Sequence, residues 1–504
     1  MRHPVVAIAM SISLPILGFV GGSRLPEQFF PPAERDQVRI EMELASGVSL
    51  NDTERVRKQC DQILRRYNAM QVDWFVAESG PSFYYNILSA RKGQPHFAQA
   101  IVKLPPKIEL SSWIQEVQDD FNRQIPDARV LVRQLEQGPP FDAPIEIRLF
   151  GPDLDVLTSI GDEVRQTLSS LENVFQTRSL LGESSGKLTL DLDLQAARNL
   201  GVGPLEVQQQ LQAAFDGRIA GSLIYETEQV PVRVRTLDTS RQQTSDVQVF
   251  DLVVNTTDNR QAVPLQAIAQ LQLKPTASGI VHFNGRRMNE VAAFIDVGTL
   301  PSTVLAAFKQ KMARDDYRLP DGYEMDFGGE AAKRNEAVTN LMASVGVLMA
   351  MMVATLVLSF GSFRLAAIIG LVGLLSIGLG LGSLYLGGFP FGFMAIIGTM
   401  GLVGVAINDS IVVLASLQQE HAHSNVSPHA IVQTVMRSTR HVLATTFTTI
   451  AGFIPLIVSG GQFWPPLAVA IAGGVAGATL LALVFVPVMY RLAIFPSRRV
   501  ALAH

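Results

Sequence analysis

Residues Gly398–Leu417 read GTMGLVGVAINDSIVVLASL, apolar apart from Asn408, Asp409 and Ser410 near the middle and the small hydroxyl residues Thr399 and Ser416 near the ends. A stretch of this length crosses a bilayer as one helix. A carboxylate at that depth costs about 2.5–3.5 kcal/mol on insertion scales; it persists where it faces other helices or water, and it ordinarily marks an ion or proton path. The chemistry on offer is gain and loss of a proton at Asp409, with Asn408 and Ser410 as hydrogen-bonding neighbours. The alternative is an Asn-Asp-Ser cluster that only ties helices together. Gly398, Gly401 and Gly404 recur every third residue and give the helix a small-residue face for partner helices.

Other chemistries find little support. No nucleophile lies beside a base, and the Gly-Lys-Ser/Thr loop of a nucleotide-driven pump does not occur, so an enzyme is not expected. The single Cys60 excludes an internal disulfide framework and a cysteine metal cluster. His421, His423 and His429 are read as one solvated loop, with no metal site. A net charge of −4 over 504 residues, with no basic stripe, gives no sign of nucleic-acid binding. The chain is 48% hydrophobic and 17% charged. That is too apolar for a typical soluble protein and too charged for membrane spans alone.

The elements that would position Asp409 follow from periodicity. Val5–Gly22 is an apolar run behind Arg2 and His3. Gly21-Gly22-Ser23 would suit signal cleavage. A retained span is preferred, because five more spans follow and an odd total would leave the C-terminus on the wrong side. Val38, Ile40, Met42 and Leu44 alternate with Arg39, Glu41 and Glu43, the pattern of a half-buried strand. Ser49 caps a helix to about Tyr67. Strands at Val72–Ala77 and Ala98–Val102, a helix at Ser111–Gln124 and a strand at Arg129–Arg133 complete a split βαβ (ferredoxin-like) unit. After Gly138-Pro139-Pro140 the plan restarts, with a strand at Ile145–Leu149, a helix at Leu154–Leu171 and a strand at Val174–Ser179. It is interrupted by a small α/β insert at about Gly182–Pro275, which includes alternating Val230, Val232 and Val234. It resumes at Ile280–Phe283, turns at Asn284-Gly285, and runs through Met288–Asp296, a helix at Ser302–Ala313 and a strand at Glu324–Phe327.

Five further spans are expected at Leu341–Phe360, Leu365–Leu386, Phe391–Leu417, Val442–Val458 and Leu467–Leu492. Ser427-Pro428 is expected to start a short amphipathic helix in the loop before the fourth of these. Arg2, Arg364, Arg437, Arg440, Arg491, Arg498 and Arg499 fall on one side of the spans, which the positive-inside rule makes cytoplasmic. Both termini are then cytoplasmic, and residues 24–336 lie outside. The expected fold is membrane α-helical, with six transmembrane helices split 1+5, plus an α+β outer domain. Its parts are a first span at 1–23, a first α/β subdomain at 24–137, a second at 138–181 and 276–336, and an insert at 182–275. A five-helix bundle at 337–495 and a tail at 496–504 follow. Gly378 with Gly382, and Gly473 with Gly477, suit close helix approach or merely loosen their helices.

This order resembles half of a resistance-nodulation-division (RND) transporter, most like the hydrophobe/amphiphile (acriflavin-resistance-like) multidrug branch. The match is carried by Gln28-Phe29-Phe30-Pro31-Pro32, Asn284-Gly285-Arg286-Arg287, Ser362-Phe363-Arg364, and Gly401-Leu402-Val403-Gly404 leading into Asn408-Asp409-Ser410. The resemblance implies proton-driven efflux of hydrophobic or amphiphilic small molecules across the inner membrane of a bacterium. The proton gradient is the energy source, without a cofactor, and residues 24–336 would be periplasmic. It makes the two α/β units porter-like and the insert docking-like. It also implies a trimeric assembly with a periplasmic adaptor and an outer-membrane channel. Full-length relatives carry paired aspartates on one half and a lysine on the other; the matching positions here hold Asn408 and Asp409. Thr445 falls where a relay threonine is implied, and Thr446 offers a second hydroxyl; the alternative for both is bonding back to their own helix.

On this view, protonation of Asp409 shifts the spans. They pull on the outer domain through linkers near Phe29–Pro32 and Asp326–Glu336, and a cleft between the α/β units opens. Trp74, Phe75, Phe83, Tyr84 and Tyr85 are candidates to line that cleft, or else strand core. The complementary six-span half is expected on another chain, unless the frame is truncated or six-span units pair with themselves. Two other readings stay open, a six-span protein-export accessory of the same superfamily and an inactive scaffold half.

Overall fold

The computed structural model describes residues 3–82, 91–106, 108–138, 141–182, 184–236, 244–255, 260–277, 279–423 and 428–494. The first helix, α1 (Pro4–Gly22), leads into an α/β unit of β1 (Gln37–Leu44), α2 (Leu50–Arg66), β2 (Gln71–Val76), β3 (Phe97–Lys103), α3 (Leu110–Gln124) and β4 (Ala128–Gln134). The sheet order is β2-β3-β1-β4, with every neighbour antiparallel. Ser49 sets the start of α2 through a capping box: its Oγ accepts from Asp52 N–H at 3.2 Å, and the Asp52 carboxylate accepts from Ser49 N–H at 3.3 Å. The helices lay Val56, Cys60, Ile63 and Leu64, and Ile114, Val117 and Phe121, against Val38, Ile40 and Met42 of β1.

The second unit starts with β5 (Ile145–Phe150), α4 (Leu154–Ser169) and β6 (Val174–Ser179). The insert follows as a compact unit, Ser184–Ser278. It contains β7 (Ser184–Leu192), α5 (Leu194–Asn199), α6 (Pro204–Leu211), β8 (Arg218–Tyr225), β9 (Glu228–Val234), α7 (Thr244–Gln248), β10 (Asp251–Asn255), β11 (Arg260–Pro264) and β12 (Ala269–Ala277). Its small core gathers Val207, Leu252, Val254, Leu265 and Ile268. The β8–β9 hairpin is exposed along its whole length. Val230, Val232 and Val234, which alternate as in a strand with one covered face, therefore meet no second layer among the described residues. Past the insert come β13 (His282–Phe283), β14 (Arg286–Ile295), α8 (Pro301–Arg314) and β15 (Glu324–Phe327). Asn284 and Gly285 have φ of 49° and 77°, as a two-residue hairpin turn requires. The order β6-β14-β5-β15 repeats that of the first sheet.

The polar face of β1 is largely withdrawn from water. Arg39 is only 6% exposed. Glu43 pairs with Arg91 at 2.8 Å, with Arg129 of its own sheet, and with Arg178 of β6 in the second unit at 3.5 Å. Leu131 packs with Ala143, Ala292 and Phe294 beside these ions. Alternation reads as half-buried because charged residues fill one face; opposed charges on the second sheet let that face be buried too.

The remaining helices are α9 (Gly329–Phe360), α10 (Phe363–Gly387), α11 (Phe393–His423), α12 (Pro428–Ser459), α13 (Pro465–Leu480) and α14 (Val486–Ile494); a π-helical turn, Leu481–Phe485, joins the last two. Among the described residues six helices are long and apolar enough to cross a membrane. Three boundaries differ from the sequence reading. Residues 329–336, expected as linker, are already the start of α9. The expected short helix after Pro428 is the beginning of α12, continuous with the span. His421 and His423 end α11 and His429 starts α12, so they do not share a loop. In each case helix propagation continues past the apolar window, since each added residue gains a backbone bond. A helix of 32 residues is about 48 Å long against about 30 Å of hydrocarbon, so α9 and α12 extend beyond the membrane.

Small residues set the helix crossings. At Gly18 and Gly378 an added Cβ would strike the opposing backbone, and at Gly382 it would lie 3.1 Å from Gly18 Cα, so α1 and α10 cross on glycine. Gly473 meets Ser383, and Gly477 meets Leu379, where α13 crosses α10. The α11 glycines divide: a Cβ at Gly398 would lie 2.8 Å from Leu467 O of α13, Gly401 has only Ile471 at 3.5 Å, and Gly404 has nothing within 4 Å. Residues three apart turn through about 300°, so three of them drift around the helix, and only the first is pressed against the α13 backbone.

Candidate functional site

Asp409 projects from α11 into the bundle and is 2% exposed. Its Oδ1 lies 3.2 Å from Thr445 Oγ of α12, while Oδ2 is buried without a partner. Thr445 Oγ also lies 2.8 Å from Val442 O, one turn back in its own helix. A hydroxyl carries one hydrogen and cannot donate to both. Either the hydroxyl turns to an ionised Asp409, or it keeps the helix carbonyl and accepts from a protonated one. The arrangement thus has two hydrogen-bond states, one for each protonation state of the carboxyl.

Thr446 faces a different neighbour. Its Oγ is 2.6 Å from Thr479 Oγ of α13, and the two hydroxyls also bond back to Val442 O and Val475 O. Thr479 was absent from the sequence candidates. Its signal was a lone hydroxyl in the apolar run after Gly477, and the π turn at Leu481 begins just beyond it. Ser410 is fully buried but bonds to Ala406 O of its own helix. Asn408 is exposed on another side of α11, as are Gly401 and Gly404. The contiguous Asn-Asp-Ser cluster therefore does not form, because consecutive helical residues point about 100° apart.

The aromatic candidates also separate. Trp74 packs toward the helix-covered core and donates from Nε1 to Asp61 Oδ1 of α2 at 2.7 Å, so it is core and not cleft. Phe75, next along the strand, faces the opposite way, toward Gly80. Phe83, Tyr84 and Tyr85 lie outside the described residues. A different concavity exists: a cavity of about 550 Å³ beneath the two α/β units, where Phe29 and Phe30, the end of β14 and the loops at Phe389 and Gly461 meet.

The profile of the AcrB/AcrD/AcrF family matches residues 1–494. The chain belongs to this family. It is an RND-family chain, and the relatives it matches carry efflux and resistance names. RND relatives include "Cobalt-zinc-cadmium resistance protein CzcA" of Cupriavidus metallidurans, 22% identical over 94% of this chain and 45% of that protein. "Multidrug resistance protein MdtC" of Escherichia coli is 23% identical over 77% of this chain and 38% of that protein. A crystal structure of a heavy metal efflux pump superposes with a TM-score of 0.79 at 20% identity, covering 97% of this chain and 50% of that one. The RND chain spans about half the length of the relatives it matches. The relatives carry both metal and multidrug names, and they favour the heavy-metal branch over the expected hydrophobe/amphiphile one.

Proposed function

We propose that this chain is one half-unit of a proton-driven RND efflux transporter in the inner membrane of a bacterium, with residues 24–336 on the periplasmic face and both termini in the cytoplasm. The observation that carries the reading is Asp409, a carboxyl buried in the bundle with one oxygen on Thr445 and the other unpartnered. Proton uptake switches the Thr445 bond, and α11 and α12 settle differently around it. Thr446 and Thr479 tie α12 to α13, so a shift at one helix is felt by its neighbour. Glu330 links the membrane helices to the outer units: its Oε1 accepts from Phe29 N–H at 2.6 Å, and its own N–H bonds to Pro144 O. The complementary six-span half, a trimeric assembly, an adaptor and an outer-membrane channel complete the proposal.

For cargo, the aromatic cavity favours hydrophobic or amphiphilic molecules. A second reading, export of divalent metal cations, rests on the names of relatives such as CzcA. The test uses vesicles from cells making the chain with its complementary half. An imposed proton gradient should drive lipophilic dye uptake into inverted vesicles, and Asp409→Asn should abolish it. Gradient-driven transport by the Asn variant at the wild-type rate would sink the coupling role, and transport of cobalt or zinc alone would favour the second reading.

A further inference from the structure

Between the polar face of β1 and the second α/β unit lies a small enclosed space of about 100 Å³. That is well below the roughly 300 Å³ at which drug-sized ligands begin to fit. A water takes about 30 Å³ of liquid. The space therefore suits an ion of that size with a little water, and nothing larger. Its walls are ionic. Arg39 of β1, Arg129 and Arg133 of β4, Arg178 of β6 and Arg91 all line it. The carboxylates of the lining are Glu41, Glu43 and Asp142, and Glu136 stands behind Arg133.

The pairing does not come out even, since five guanidiniums face three lining carboxylates and Glu136. Glu43 is shared by Arg91 at 2.8 Å, Arg178 at 3.5 Å and Arg129. Glu136 is taken by Arg133 at 2.7 Å, and Glu41 accepts from Gln99 Nε2 at 3.4 Å. Arg39 is left short. It is 6% exposed, approaches Glu41 at 3.2 Å and Glu136 at 3.9 Å, and its buried Nε has no hydrogen-bond partner. Glu290 of β14 also feels Arg178, but burial and Glu146 push its carboxyl up to about 7, so below neutral pH it stays mostly protonated.

A buried charge is stable only when it is paired and fully hydrogen-bonded. A carboxyl in this place would take up a proton and lose its charge; a guanidinium keeps its own. A water would bond to Nε and leave the surplus charge standing, whereas an anion removes both deficits. Ser79 offers a further donor: its Oγ accepts from Arg91 N–H at 3.2 Å and keeps its own hydrogen to give. We propose that this space binds one small inorganic anion of chloride size, held between Arg39 and Ser79 of the first α/β unit and Arg178 of the second, so that the ion ties the two units together. The ion is a fixed part of the outer units and not cargo. The inference therefore stands or falls apart from proton coupling at Asp409 and from what the chain exports.

The probe is chloride, exchanged against gluconate, which is too large for the space, at constant ionic strength so that screening is equal in both. The purified full chain in detergent, at about pH 6.5, should show a saturable rise in melting temperature of about 2–4 °C in chloride. Bromide replaces chloride and marks its place, so crystals grown in bromide should give an anomalous peak beside Arg39 Nε. Arg39→Met keeps an unbranched side chain and removes the surplus charge. It should melt at the same temperature in both salts, and in gluconate no lower than the parent chain, since an apolar group then stands where a charge lacked its partner. Arg39→Lys keeps the charge without the Nε donor; it should at least halve the chloride response and serves if the Met variant does not fold. Equal melting of the parent chain in the two salts, an undiminished chloride response in either variant, or bromide at exposed positions alone, an adventitious ion only, each overturns the proposal.

Discussion

Thr445 Oγ lies 3.2 Å from Asp409 Oδ1 and 2.8 Å from Val442 O, so one hydroxyl hydrogen is shared between a helix carbonyl and a buried carboxyl. Back-bonding and relay are therefore two settings of the same side chain. Thr445→Ser preserves both bonds, and Thr445→Val removes both at nearly constant volume. In the vesicle assay we expect Ser to keep most gradient-driven transport and Val to lose about ten-fold or more, the scale for a buried charge deprived of a hydrogen bond. Equal rates for the two would show that the hydroxyl takes no part.

The α1–α10 crossing gives a packing prediction. Gly378 faces Pro15 O and Phe19 with no room for a methyl group, whereas Gly404 has open space. Gly378→Ala should destabilise the bundle by about 1–3 kcal/mol, as overpacking does. Gly404→Ala should leave it unchanged or slightly firmer. Thermal melts of the purified chain distinguish the two, and similar losses at both sites would contradict the crossing geometry.

Glu290 on β14 supplies a pH dependence. Burial, with Glu146 nearby, raises its carboxyl to about 7, despite Arg178 and Arg148. A carboxyl raised on folding contributes stability that is fully present below its unfolded value, near 4.5, and is lost as pH climbs through about 7. The outer units should weaken across that window by up to about 3 kcal/mol. Glu290→Gln should remove that part of the slope, as followed by melting temperature from about pH 5 to pH 8. Glu43 is the opposite case: burial disfavours its charge, but Arg129, Arg91 and Arg178 together bring it from 4.5 down to about 2, so its share is full above about pH 4.5 and is lost as pH falls from there through about 2.

Cys60 is fully buried against Met42, and burial, with Asp61 beside it, pushes its thiol up to about 12. Thiolate is the reactive form. Maleimide should not label the folded chain and should label it stoichiometrically in denaturant. Rapid labelling of the native protein would show that α2 does not close on the sheet as described.

Much of this was legible in residue order. Local periodicity fixed the α2 and α3 stripes, the Ser49 cap and the Asn284-Gly285 turn, because each depends on residues a few positions apart. Asp409 stood out for the same reason, a charge in an apolar run. What lay beyond reach depended on the partner across the gap. Arg39, Glu41 and Glu43 read as a wet face until the second sheet covered them. Asn408 and Ser410 look like partners of Asp409, but helical rotation turns one outward and the other to its own helix. Thr479 had no local signal strong enough to pair it with Thr446, 33 positions earlier. The chain's own order determined its elements, its apolar spans and its one buried carboxyl in the bundle. The meeting of Asp409 with Thr445, Thr446 with Thr479, and Glu330 with Phe29 was decided only by tertiary packing, since hydrogen bonds are satisfied by what is near in space.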